Sequence, residues 1–124
     1  MAFGETTVGG AALVRADGRI DMSNADAFKD ALMSAVSTAR SAVIVDMAGV
    51  DYISSAGLRS LMIAFRGAKG AGKAFGVAAL TPLVLEIFTI SRFNLVFPLY
   101  GGVREALYAV GAPSSPNTGG GGLA

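Results

Sequence analysis

Two adjacent hydroxyls, Ser54 and Ser55, stand where the apolar pattern of the chain turns helical, and their position suits them to chemistry. Upstream, Val43-Ile44-Val45 is a short β-branched run ending at Asp46. It predicts a buried strand of limited length, followed by a loop from Met47 to Ile53. Downstream, Ala56-Gly57 leads into Leu58, Leu61, Met62 and Phe65, an apolar set at helical spacing. The serines therefore sit at a helix N-terminus, where the first amides lack intrahelical partners and favour a side-chain oxygen or a nearby anion. One serine can cap the helix while the other points outward. Gly57 lets either a partner or the domain's own backbone approach this helix start closely.

The carboxylates that could work with these hydroxyls are Asp21, Asp46 and Asp51. Asp21 closes Gly18-Arg19-Ile20, where it can cap the loop before Ser23 or face a partner. Asp46 suits closing its own loop through backbone amides, and Asp51 reads as solvated. Their spacing is not that of a Ca²⁺ loop, so no metal site is expected. The chain has no histidine and no cysteine, which removes the commonest general base and any thiolate or disulfide chemistry. A serine hydrolase is disfavoured further, because Ser55 lacks the Gly-x-Ser-x-Gly setting. No catalytic set is expected, and Gly67, Gly70 and Gly72 read as turn residues rather than a phosphate loop, so no cofactor is expected either. Met22 and Met47 flank two of the acidic positions and suit either adaptable contacts or the core.

The elements that must position these residues belong to one domain, since 124 residues are too few for two ordinary ones. A net charge of +1 with 15% charged residues and no basic run argues against nucleic acid. The start of the chain lacks the basic region and apolar core of a secretory signal, which predicts a cytoplasmic protein. The apolar stretch from Ala74 to Ile90 is interrupted by Pro82 and Glu86, so it reads as strand then helix rather than a membrane span. Thr6 to Val8 and Ala11 to Ala16 predict a hairpin around Gly9-Gly10, with a second break at Asp17-Gly18. Ser23 and Asp26 have capping-box spacing before Phe28, Leu32, Ala35 and Val36, a helix ending near Arg40. After the Ser55-led helix come a strand from Lys73 to Ala79, a helix opened by Thr81-Pro82, a strand at Leu95 to Phe97 and a helix from Val103 to Val110. The expected architecture is α/β: a mixed sheet of about four to five strands with about four helices mainly on one face. Residues 1–110 form the predicted domain, and 111–124 read as a disordered Pro/Ser/Gly-rich tail.

Asp46-Met47-Ala48, Ser54-Ser55-Ala56-Gly57-Leu58 and Gly18-Arg19-Ile20-Asp21 together resemble the signature of STAS domains of the bacterial anti-sigma factor antagonists. The resemblance covers roughly residues 5 to 110. It implies a non-enzymatic partner switch whose unphosphorylated form binds a GHKL-type serine kinase/anti-sigma factor and so releases a sigma factor. By register with Gly57-Leu58 it makes Ser55 the phosphoacceptor, with Ser54 as the alternative, and a PP2C-like phosphatase the restoring partner. Ser54 stands where many members carry Asp, and Ala56 where they carry a second Ser or Thr. The implied partner surface comprises Asp21, Ser54, Ser55, Ala56, Gly57 and Arg59. The same family implies an alternative, an unphosphorylated subunit of a transporter or stressosome-type complex. Self-association is open.

Overall fold

Alternating apolar strands and amphipathic helices assemble here as a sheet whose parallel steps are each bridged by a helix. The computed structural model describes residues 2–111. Its strands are β1 (Ala2–Val8), β2 (Ala11–Ile20), β3 (Ala42–Ile53), β4 (Ala74–Ala78) and β5 (Leu99–Tyr100), hydrogen-bonded in that order. β1 and β2 form an antiparallel hairpin through Gly9, whose φ of 60° suits glycine, and the remaining pairs are parallel. The helices are α1 (Ala25–Thr38), α2 (Ser55–Gly70), α3 (Pro82–Ile90) and α4 (Val103–Ala109).

Three helices cover one face. Phe28 and Leu32 of α1, Leu58 and Leu61 of α2, and Val84 and Phe88 of α3 bury against Val14, Val43, Val45 and Met47. On the other face, Ala106 and Leu107 of α4 pack on Ala11, Ala42, Ile44 and Ala78. This is the expected α/β architecture, with five strands and four α-helices among the described residues. No helix among them is long and apolar enough to cross a membrane. The tail expected from 111 onward lies, after Gly111, outside the described residues.

Four local expectations change. The loop placed at Met47 to Ile53 is strand, so β3 runs unbroken to the helix-opening serine. Its partner β2 likewise continues through Asp17-Gly18, with register shifts between Arg15 and Asp17 and between Gly18 and Arg19. Each shift sets an extra β3 residue against β2, so Val45, Met47, Val50 and Ile53 all reach the core without strict alternation. At the first shift the Asp46 carboxylate accepts the Ala48 amide at 3.0 Å and lies 3.4 Å from Arg15 Nη1. A side chain on the adjacent Gly49 would collide with the Asp17 carboxylate, so a loop-like glycine here lets two strands close.

The last strand is Leu99–Tyr100, after Pro98 rather than before it. Phe93–Leu95 instead makes a 3₁₀ turn, and Phe97 is drawn into the core against Phe65, Phe75, Phe88 and Phe93. Burying that ring outweighs the extended preference of Leu95-Val96-Phe97. Pro98, which has no N–H to give, joins the sheet through its carbonyl, accepting from Val77 at 3.0 Å. Finally, Ser23 and Asp26 form no capping box, because Asp21 engages Ser23 and Asn24 takes the N-cap position of α1.

Candidate functional site

The ends of β2 and β3 bring the predicted residues together. Ile20 pairs with Ile53, and the next amide, that of Ser54, donates to the Ile20 carbonyl at 2.9 Å. β2 then turns away at Asp21, while β3 passes directly into α2. Ser54 is the N-cap: its backbone is extended, and its Oγ accepts from the Gly57 amide at 3.3 Å. Ser55 is the first residue of α2 and is exposed, so the two hydroxyls divide capping and outward display between them. Ala56 is half-buried. Gly57 is buried against the domain itself, because an added Cβ would lie 2.6 Å from Ile53 Cγ1 and 2.7 Å from Ile20 Cγ2. Arg59 is exposed, one turn after Ser55.

Asp21 sits in a braced turn. Its Oδ1 accepts from the Ser23 amide at 2.9 Å and the Ser23 hydroxyl at 2.6 Å, and its Oδ2 lies 3.4 Å from Arg19 Nε. Arg19 in turn lies over the Tyr52 ring, 4.2 Å from its centroid. Asn24 closes the turn from below, accepting the Asp21 amide at 2.9 Å and donating to the Arg19 carbonyl at 2.8 Å. Hydrogen bonds from the Ser23 hydroxyl and the Ser23 amide hold the Asp21 carboxyl below its ordinary value; desolvation opposes them, and the Arg19 charge adds a lowering smaller than that opposition.

A carboxyl-carbon NMR titration is therefore expected to find Asp21 protonating at lower pH in the folded protein than in an unfolded peptide of the same sequence. Ser23→Ala should move it back up. Because the folded value is the depressed one, this group's contribution to stability is complete above the unfolded pKa and is lost as pH falls through the folded one. Equal titration in wild type and Ser23→Ala would contradict the bracing seen here.

A buried hydroxyl ties the Asp21 turn to α2. Ser60 Oγ lies 2.9 Å from the Ala25 carbonyl of α1 and 3.2 Å from the Ala56 carbonyl one turn back in α2. Beside Ser55, an open depression of about 270 Å³ is lined by Ser55, Leu58, Arg59, Ser91 and Phe93. Asn24, Ser60, Ser91 and Phe93 were not singled out in the sequence. Only Asn24 carried a signal, as an alternative cap beside Ser23. Of the paired methionines, Met47 is fully buried and Met22 is 84% exposed beside Asp21. Asp51 is exposed, and no grouping of three or more His, Cys, Asp or Glu able to hold a metal occurs among the described residues.

Residues 3–98 match the family model described as Mlab, STAS domain. The chain is a STAS domain. This domain is 33% identical over 92 residues to BtrV of Bordetella bronchiseptica, named as an anti-sigma factor antagonist; the match covers 74% of this chain and 78% of that one. Among solved structures, it resembles an anti-sigma factor antagonist from Mycobacterium paratuberculosis at 28% identity and a TM-score of 0.81, covering 88% of this chain and 92% of the other. The anti-sigma factor antagonist SpoIIAA, in its unphosphorylated form, shares the fold at 16% identity and a TM-score of 0.74, over 88% of this chain and 96% of its own. The phosphorylated form of the Bacillus protein of that name matches at 16% identity and a TM-score of 0.67, over 88% and 99%. The family is one of regulatory binding domains, and the residues gathered here suit that role: an exposed hydroxyl, an anchored carboxylate and an open depression between α2 and the turn after α3.

Proposed function

We propose that this STAS domain is an anti-sigma factor antagonist that works as a cytoplasmic partner switch. Unphosphorylated, it binds a GHKL-type serine kinase/anti-sigma factor through Asp21, Arg59 and the Ser54-to-Gly57 helix start, which frees a sigma factor. The kinase ends the complex by phosphorylating Ser55. The Ser55 oxygen bonds to the terminal phosphorus of ATP, ADP departs with the bridging oxygen, and the hydroxyl proton passes to a base of the kinase. A PP2C-like phosphatase reverses the modification by hydrolysis.

The observation that carries this reading is the division of labour between the two serines. Ser54 Oγ is engaged by the Gly57 amide, whereas Ser55 is exposed beside the carboxyl ends of β2 and β3. Support comes also from the relatives named as anti-sigma factor antagonists and from the phosphorylated form known for SpoIIAA. Phosphate adds about 1.5 to 2 negative charges at neutral pH, which a helix N-terminus tolerates and an acidic or apolar partner surface does not.

Intact-mass and peptide mass spectrometry of the protein recovered from its native cells tests the assignment. Wild type and Ser54→Ala are expected to carry phosphate on Ser55, and Ser55→Ala to carry none. Ser54→Ala should also lose about 1 kcal/mol of stability with its cap. Phosphate that disappears only in Ser54→Ala would move the acceptor by one residue. Its absence from wild type under every growth and stress condition would leave the subunit role in a transporter or stressosome-type complex as the better account.

A further inference from the structure

The depression beside Ser55 is walled by two segments distant in sequence: Ser55, Leu58 and Arg59 from α2, and Ser91 and Phe93 from the turn after α3. Resting on Ser55 as the phosphoacceptor, we propose that its phosphate is received by this same domain, held in the depression by the Arg59 guanidinium and the Ser91 hydroxyl.

Ser55 and Arg59 are four residues apart, so their side chains stand one above the other, with Cβ atoms roughly 5–6 Å apart. Side chains on a helix tilt toward its N-terminus, which carries the guanidinium toward Ser55 rather than away from it. Arg59 takes part in none of the four ion pairs among the described residues. It is also the one charged residue lining the depression. Asp21 on the β2–α1 turn and Arg92 beside Ser91 are not among its lining residues.

The opposite wall is held in place by backbone geometry. The Ser91 amide donates to the Ile87 carbonyl at 3.0 Å, Arg92 turns the chain with a φ of 63°, and Phe93 locks against Phe97 at 5.7 Å. The Ser91 hydroxyl makes no side-chain hydrogen bond within the described residues, so its proton is free for a phosphate oxygen. An arginine–phosphate pair forms strong, charge-assisted hydrogen bonds. A phosphate seated there covers the half-buried Phe93 ring, removing apolar surface that a partner would otherwise use. Phosphorylation then ends binding by occupying the site as well as by repulsion, and a phosphatase must first draw the phosphate out.

The test is a phosphorus-31 NMR titration of the full chain with phosphoserine installed at position 55 during translation, so that no kinase is needed. The second phosphate pKa should lie below the value of about 6 for an unconstrained phosphoserine. It should rise by about 0.5 in Arg59→Ala and by less in Ser91→Ala, with Arg59→Lys retaining part of the lowering. A pKa unchanged by Arg59→Ala overturns the proposal. So does a lowering that survives intact in the Arg59→Ala/Ser91→Ala double variant, since the helix amides would then account for it alone. A failed clamp leaves the phosphoacceptor assignment standing, and a Ser55 found unmodified in cells leaves the clamp measurable, so the two failures are distinguishable.

Discussion

Replacing Phe97 by alanine is expected to lower the free energy of unfolding by about 3–5 kcal/mol. The ring is 3% exposed and meets four others: Phe65 of α2 at 5.3 Å, Phe93 at 5.7 Å, Phe88 of α3 at 6.0 Å and Phe75 of β4 at 6.2 Å. The Phe65 contact is edge-on, at 82°, the arrangement that sets a positive ring edge against a negative face. Each such pair contributes about 0.5–1.5 kcal/mol beyond burial, and one truncation removes the partner of all four. Because the neighbours come from four different segments, none can collapse into the void without pulling its own element away from the sheet. The residual cavity, rather than transfer of the ring to water, then decides where in the range the loss falls.

Against a total stability of about 5–15 kcal/mol for a domain, that loss is large enough to read directly from a urea titration. The midpoint should fall with little change in slope. Amide exchange should accelerate first from Ser91 to Val96, where Phe93 loses its anchor and the wall of the Ser55 depression loosens. A midpoint equal to wild type would mean that the aromatic cluster fills space without holding these segments together.

The same residue shows where sequence reading reaches its limit. Leu95-Val96-Phe97 has the composition of a strand, and only the four rings around Phe97 reveal that it is a core anchor following a 3₁₀ turn. Helices were legible throughout, since a period near 3.6 survives any arrangement of their neighbours: Phe28, Leu32 and Val36 face inward as their spacing requires. That one of the two serines caps while the other points outward is legible for the same local reason, because an N-cap is set by its own next three residues; only the Gly57 amide on Ser54 Oγ says which is which.

The two register shifts against β2 break the alternation that marks a strand, so the second half of β3 does not read as strand from sequence. Met47-Ala48-Gly49-Val50-Asp51 looks like a loop until β2 is laid beside it. At the α1 start three small polar residues compete for the cap, and their spacing alone does not rank them. Asp21 captured Ser23, leaving Asn24 to brace the turn and occupy the cap position. Both features bear on the site. A continuous β3 places Ser54 one residue beyond the Ile20–Ile53 pair, and the Asn24 brace fixes Asp21 next to it. Ser60 and Ser91 carried no local signal, because what matters about each is a neighbour contributed by α1 or α2.

Gly57→Ala is the substitution that should separate stability from placement of the site. In an unconstrained helix the change gains about 0.5–1 kcal/mol, since alanine loses less backbone freedom on folding. Here the new methyl would sit 2.6 Å from Ile53 Cγ1 and 2.7 Å from Ile20 Cγ2, closer than side-chain carbons pack. Overpacking of that kind costs about 1–3 kcal/mol, so the clash outweighs the propensity and a net loss is expected. Ile20 and Ile53 are buried, paired across β2 and β3, and followed by the Ser54–Ile20 hydrogen bond, so α2 must yield rather than the sheet. Its first turn carries Ser55 away from Asp21 as it moves. Phosphate occupancy at Ser55, measured in cells at a temperature where the variant remains folded, should therefore fall by more than the stability loss explains. Gly70→Ala supplies the control within the same helix: nothing lies within 4 Å of its added Cβ, so it should leave occupancy unchanged and stability equal or higher. If Gly57→Ala instead stabilised the fold as much as Gly70→Ala, the contact of α2 with the ends of β2 and β3 would not be the feature that sets Ser55 in place.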